Sequence, residues 1–264
     1  MKIAVIQFGA GTDKQGNVEK ALSFLEKAAA KHAKFILLPE VFFFRGRLGT
    51  KRSLHDIAET TQGPTVSQIR RFAKSKKVYV LAGSIYEKVQ GSRKVYNTSL
   101  LINPSGNIAA KYRKINLFNA VFGEKSVCES DYFLKGKREA TSSIKKFRVG
   151  LSVCYDLRFP ELYKRYAKRG VDVLTVPSAF TYKTGVAHWE ILLRARAIEN
   201  LSYVVAPNQI GTDSRGIRYY GNSMIVDPWG KILARATTNK EQVITAEMSQ
   251  DVIKDCRKVL PQIR

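Results

Sequence analysis

A chain of 264 residues, 44% hydrophobic and 25% charged, is long enough to bury a sizeable core and has the balance of a soluble globular protein. No apolar run approaches the roughly 18 residues that span a bilayer, which excludes a membrane-spanning helix. The net charge of +23 invites a nucleic-acid partner, but the basic residues are dispersed and the short runs 135–138 and 145–148 are broken, so the expectation is a basic solvated surface and no nucleic acid.

In chain order, Lys2–Phe8 reads as a buried strand; it reaches Gln7 too soon for a signal-peptide core. Val18, Ala21, Leu22, Leu25, Ala28 and Ala29 recur at helical spacing, predicting an amphipathic helix over Gly16–Ala33. Phe35–Leu38 is a second buried strand stopped by Pro39, and Pro64–Lys76 is a helix. Val78–Ile85 and Val95–Ile102 are strands, and the turn residues 103–107 fold Val95–Arg113 into a hairpin. The second half repeats the theme. Arg148–Val153 is a strand leading into Cys154, Pro160–Lys168 a helix, Val171–Val176 a strand stopped by Pro177, Gly185–Asn200 a helix and Ser202–Ala206 a strand. Ser223–Val226 and Lys231–Ala234 flank the turn Asp227–Gly230, Gln242–Ala246 is a strand and Gln250–Val259 a short helix. No linker or composition break interrupts this α/β alternation, so one domain over 1–264 is expected, with two helix-covered sheets packed face to face.

Several chemistries drop out. Gly9-Ala10-Gly11 begins like a dinucleotide loop, but Lys14 stands where the third glycine belongs. There is no phosphate loop, HExxH pair, CxxC pair or Gly-x-Ser-x-Gly elbow, and the three histidines at 32, 55 and 188 are too few and too scattered for a protein-built zinc site. Three cysteines, Cys128, Cys154 and Cys256, at wide spacing do not make a disulfide framework; free thiols in a reducing cytoplasm are expected.

Three segments remain. Cys154 stands where an apolar strand gives way to a helix, a place where backbone N–H groups lower a thiol pKa and bind a developing oxyanion. Taken alone, it reads as one more small buried residue. Glu40 is delivered by an apolar strand to the sheet edge where open α/β sheets place ligands, beside Phe42, Phe43 and Phe44. Such shielding can raise a carboxyl pKa and make a base, although a loop glutamate paired with an arginine is the plainer reading. Lys114, at the end of the second hairpin strand, is either an oxyanion donor or a solvated charge.

In order along the chain, Leu38-Pro39-Glu40, Tyr112–Leu117 and Gly150–Leu162 resemble the three signature segments of the nitrilase (carbon–nitrogen hydrolase) superfamily. The likeness extends through Pro177–Phe180, Ala187–Glu190, Arg194–Asn200 and Asp227–Gly230, and so covers nearly the whole chain. It implies a four-layer α-β-β-α sandwich with Glu40 as general base, Lys114 as oxyanion stabiliser and Cys154 as nucleophile. It also implies a second glutamate, for which Glu129 matches better than Glu124, and an oxyanion contact from the Tyr155 N–H. No metal or organic cofactor is implied. Asn116 stands where many relatives carry histidine. Tyr155-Asp156 replaces the Trp-Glu of nitrile-cleaving members, and the stretch after Cys154 is most similar to the omega-amidase and deaminated-glutathione amidase group. The implied reaction is hydrolysis of the terminal amide of a small carboxylate-bearing substrate through a thioester. The alternatives are an N-carbamoyl amide hydrolase, a nitrilase, or an inactive relative whose basic surface contacts nucleic acid. Helix Gly185–Asn200 carries more apolar residues than one buried stripe needs, and the resemblance also points to pairing, so a homodimer or larger homo-oligomer is expected. The competing arrangement is a monomer whose C-terminal segment, Asp251–Arg264, covers that face.

Overall fold

The computed structural model describes residues 1–47, 54–122 and 125–261. The first half contains β1 (Lys2–Gln7), α1 (Lys14–Ala30), β2 (Phe35–Leu37), the one-turn α2 (Leu54–Ile57), α3 (Pro64–Lys76), β3 (Tyr79–Glu87), β4 (Tyr96–Ile102) and β5 (Ile108–Arg113). A small hairpin of β6 (Asn119–Phe122) and β7 (Lys125–Cys128) leads to the second half. There β8 (Thr141–Ile144), β9 (Phe147–Leu151), α4 (Pro160–Lys168), β10 (Val173–Thr175), α5 (Tyr182–Asn200) and β11 (Tyr203–Ala206) are followed by β12 (Met224–Val226), β13 (Ile232–Arg235), β14 (Gln242–Glu247) and α6 (Gln250–Val259).

Two six-stranded sheets result, ordered β14-β1-β2-β3-β4-β5 and β13-β12-β11-β10-β9-β8. Each has three parallel strands at its centre, β1-β2-β3 and β9-β10-β11, with helices in the crossovers and antiparallel strands outside. Period-two alternation assigns the faces. Ile3, Val5, Phe35, Leu37, Leu81 and Leu101 turn toward the second sheet and share a core with Val149, Leu151 and Val173. Their neighbours Ala4, Ile6, Ile36, Val80 and Leu100 turn outward onto Val18, Leu25 and Ala28 of α1 and Val66, Ile69 and Ala73 of α3. Leu162 and Tyr166 of α4 and Trp189 and Leu193 of α5 close the far side. The layers therefore run α-β-β-α, as expected. Truncating a fully buried aromatic such as Trp189 to alanine would cost about 3–5 kcal/mol.

The helices expected over Pro64–Lys76, Pro160–Lys168 and Gln250–Val259 have those bounds, and the first two open on proline, which is pre-shaped for a first helical turn. Helix α1 starts two residues before the expected Gly16, because the Asp13 side chain caps it by accepting from the Gly16 N–H at 3.1 Å. The strand expected to run to Val153 ends at Leu151, and α5 begins at Tyr182 rather than Gly185. The sequence reading passed over β6, β7 and β8: these are short or half-buried, and the continuous apolar signal of the central strands is missing from them. Among the described residues no helix is long and apolar enough to cross a membrane.

Candidate active site

The C-terminal ends of the central strands of the two sheets meet, and three backbone devices hold the chemistry there. After β2, Pro39 stops the strand and Val41 turns the chain with φ +48°, a left-handed conformation that a β-branched residue holds only when its surroundings enforce it. The Val41 N–H donates to Ser84 Oγ at 3.0 Å, and the Gln209 side-chain amide donates to the carbonyls of Glu40 and Val41 at 2.6 and 3.2 Å. Ser84 reaches this turn from a bulge in β3 at which Gly83 lies under Pro39. A Cβ on Gly83 would stand 1.8 Å from the Pro39 carbonyl oxygen, so only glycine fits. Lys114 follows β5, with its N–H bonded to the Asn97 carbonyl at 2.9 Å and its carbonyl accepting from Gly136 at 2.8 Å. Gly136 is similarly obligatory, since a Cβ would lie 2.0 Å from the Arg113 carbonyl oxygen.

Cys154 has φ +49° and opens the 3-10 turn Cys154–Arg158, and its own N–H donates to the Pro177 carbonyl at 3.0 Å. The turn is tied to the lysine segment by the buried carboxylate of Asp156. Asp156 accepts from Tyr112 Oη (2.8 Å), the Val153 N–H (2.9 Å), and the backbone and side-chain N–H groups of Asn116 (2.8 and 2.9 Å).

These devices bring Glu40, Lys114, Cys154 and Glu129 together. Lys114 Nζ donates to Glu40 Oε1 at 3.0 Å and pairs with Glu129 Oε2 at 2.9 Å; the ammonium is 1% exposed and the Glu40 carboxylate 3%. Asn97 Nδ2 also donates to Glu40 Oε1, and the Ala179 N–H to Oε2, both at 2.9 Å. Glu129 is anchored by the Phe118 N–H at 2.8 Å. The buried Cys154 thiol lies beside Glu40 and Lys114, close enough for the charge of each to act on it. Glu124 lies outside the described residues. Tyr155 lines the same cavity, its ring edge-on to Phe118 and Phe159.

Burial acts on all three central groups, and the neighbours decide the outcome. It pushes the Cys154 thiol far above its ordinary range; the Glu40 charge adds to this, and Lys114 and the Ala179 N–H oppose it without prevailing. Burial also works to raise the Glu40 pKa, but the Lys114 and Arg45 cations and the hydrogen bonds prevail and hold it below the usual carboxylate value. Lys114 is desolvated too, yet Glu129 and Glu40 keep its pKa well above that of a free lysine. The resting cluster is thus a thiol beside a carboxylate and an ammonium. Phe42, Phe43 and Phe44 beside Glu40 suggest a raised carboxyl pKa; the neighbouring cations Lys114 and Arg45 reverse that direction.

A cavity of about 820 Å³ opens over the cluster, and Arg45, Arg47, Arg158, Lys183, Arg215 and Arg218 line it. The sequence reading assigned no role to Asn97, Ala179, Asp156 or these cations. Asn97 is a buried amide in the polar first half of β4, beside Thr98 and Ser99. Asp156 lies within the Gly150–Leu162 segment. Nothing local marked Ala179, whose contribution is a backbone N–H.

The carbon-nitrogen hydrolase family model matches residues 2–258. Human omega-amidase NIT2 is 37% identical over 264 residues, covering 100% of this chain and 94% of that protein. The nitrilase and fragile histidine triad fusion protein NitFhit of Drosophila melanogaster is 37% identical over 260 residues, 98% of this chain; the chain spans only 56% of that longer protein. The crystal structure of Saccharomyces cerevisiae Nit3, a member of branch 10 of the nitrilase superfamily, superposes with a TM-score of 0.89 at 32% identity, covering 100% of this chain and 95% of that one. With its sheets, its ordered segments and its thiol–carboxylate–ammonium cluster in place, this chain belongs to the carbon–nitrogen hydrolase family of the nitrilase superfamily.

Proposed function

We propose that this protein is an amidase that hydrolyses the terminal amide of small carboxylate-bearing substrates and releases ammonia through a thioester on Cys154. The observation that carries the reading is a buried thiol beside a carboxylate that is itself held ionised, at the floor of a cavity lined by cations.

The residues divide the work. Glu40 takes the Cys154 proton as Sγ adds to the amide carbon, so the raised thiol pKa is met by a neighbouring carboxylate base. Lys114 Nζ and the Tyr155 N–H receive the negative charge that develops on the carbonyl oxygen. Protonated Glu40 then gives its proton to the amide nitrogen; the C–N bond breaks, ammonia leaves and the acyl group stays on sulfur. A water loses its proton to Glu40 and adds to the thioester carbon. Collapse expels the thiolate, which regains the proton from Glu40, and the carboxylic acid departs. Glu129 positions Lys114 and offsets its charge in the interior, where an unpaired ammonium would be costly.

The test is ammonia release from monoamides of dicarboxylic acids, matched nitriles and N-carbamoyl amino acids. The largest kcat/KM is expected for the amides. Faster turnover of the nitriles or of the carbamoyl compounds would replace the reading with one of those activities.

The assembly follows from α5. Val186, Ile191 and Ile198 are exposed at 60%, 70% and 42%, and Trp229 in the neighbouring turn at 56%. Described residues of α6 do not cover them; that helix anchors beside β10 instead, through Arg257 Nη1 and Asp172 at 2.8 Å. Residues 262–264 lie outside the described chain. We infer a homodimer through this face. Three free cysteines suit a reducing cytoplasm.

A further inference from the structure

One wall of the cavity carries a group of side chains that the reaction above leaves unused. Arg45 Nη2 and Arg215 Nη2 both donate to the Tyr219 hydroxyl, the latter at 3.1 Å. That hydroxyl donates to Asp213 Oδ2 at 2.7 Å. Asp213 also takes Arg215 in a forked contact, with Nε at 2.9 Å and Nη2 at 2.6 Å. The single carboxylate is therefore committed to Arg215. The Arg45 guanidinium lies over the Tyr219 ring at 4.5 Å, and its Nε is buried without a hydrogen-bond partner among the described residues. None of the described carboxylates is within ion-pair distance of it. Two guanidinium groups thus converge on one hydroxyl in a partly desolvated wall, with one balancing charge between them. The nearby Glu40 is bound to Asn97, Lys114 and Ala179. A guanidinium held from water by its neighbours, and short of an anion, is an unfavourable arrangement that a bound carboxylate relieves.

We propose that Arg45, backed by Arg215 on the Tyr219–Asp213 platform, binds the carboxylate at the far end of the substrate and so makes this enzyme selective for monoamides of dicarboxylic acids over uncharged amides. The inference rests on the amidase reading for the reacting end of the substrate, and on the arginine wall for the other end. The competing role for Arg45 is purely electrostatic, holding Glu40 ionised from a distance; that role would affect charged and neutral amides alike.

The experiment pairs a binding measurement with a ratio of rates. Calorimetric titration of glutarate into the wild type, Arg45→Met and Arg215→Met gives the affinity of the anion alone. The kcat/KM for glutaramate divided by that for pentanamide gives the selectivity. Loss of a charged hydrogen bond predicts that Arg45→Met weakens glutarate roughly 10- to 100-fold and lowers the selectivity ratio by a similar factor. Arg215→Met, one contact removed, should move both in the same direction by less. Arg45→Lys keeps the charge without the fork and should fall between, which guards against a misfolded methionine variant. Wild-type affinity and selectivity in Arg45→Met would overturn the proposal, as would a wild type that binds no glutarate. Arg45-dependent glutarate binding with no ammonia from any amide would leave the subsite standing and remove the amidase reading. Ammonia released equally well from both amides would do the reverse.

Discussion

The ends of β2 and β10 occupy equivalent places in the two sheets, and comparing them shows how one backbone plan serves two purposes. Both are central parallel strands, both are fully buried, and both are followed by a proline, Pro39 and Pro177. After Pro39 comes a carboxylate, Glu40; after Pro177 come Ser178 and Ala179, whose backbone N–H donates to that carboxylate. The first sheet supplies charged side chains, and the second supplies a thiol and backbone donors. The lesson is that strand position fixes where a group is delivered, while the residue at the tip decides whether it contributes charge, nucleophile or scaffold. Glu40 needs obligatory glycine below it at Gly83, and a neighbour 139 residues away to complete its hydrogen bonds.

The most severe way to break this arrangement is to remove the carboxylate that follows β2 or the thiol that follows β9. Cys154→Ala is expected to fold and release no ammonia, and Glu40→Gln to lose about 10³-fold or more in kcat, since in the proposed reaction it serves both half-reactions. Cys256→Ala, remote from the cavity, should stay within about twofold of wild type. A Glu40→Gln defect confined to KM would make that residue a binding group only.

Gly83→Ala sharpens the comparison, because it leaves every reacting atom in place and attacks only the support. The 1.8 Å approach to Pro39 cannot be relieved by a side-chain rotation. We expect a loss of about 2–4 kcal/mol in denaturant unfolding together with a fall in kcat. Unchanged stability would show that the β2 tip does not depend on the bulge.

Titration reads the charged half against the thiol half. Glu40 works as the carboxylate and its pKa is lowered, so activity should persist below the usual carboxylate range and fail only as pH drops through the lowered value. The Cys154 pKa is raised by burial and by Glu40, so no increase in rate is expected near the ordinary thiol value of about 8.5. Lys114, with its folded pKa above the unfolded one, contributes stability that is present below the unfolded value and lost as pH rises through the folded value. A pH–rate profile that climbs around pH 8–9 would assign proton removal to solvent rather than to Glu40.

The smallest effect on chemistry should come from the outer face of the second sheet. Ile191→Lys places a charge on an exposed apolar face far from the reacting atoms. Light scattering coupled to size exclusion should show the wild-type dimer mass give way to monomer, with modest change in kcat. A monomeric wild type at micromolar concentration, fully active, would sink the dimer.

The sequence by itself determined the strand–helix alternation, the helices that open on proline and the two-sheet sandwich, and it singled out Glu40, Lys114, Cys154 and Glu129, which the fold brings together. Those features are written locally: apolar runs mark buried strands, proline marks their ends, and three ordered segments carry the family likeness. Tertiary structure alone decided that Ala179 and Asn97 complete the Glu40 carboxylate, that Asp156 joins the Cys154 turn to the lysine segment, and that Arg45 and Arg215 converge on Tyr219. It also decided the sign of the Glu40 pKa shift. Three phenylalanines beside a glutamate suggested desolvation; the opposing cations come from Lys114, 74 residues away, and from the loop that carries Arg45. Contacts between residues so far apart in sequence leave no periodic trace, and a backbone N–H donor leaves no residue type to notice.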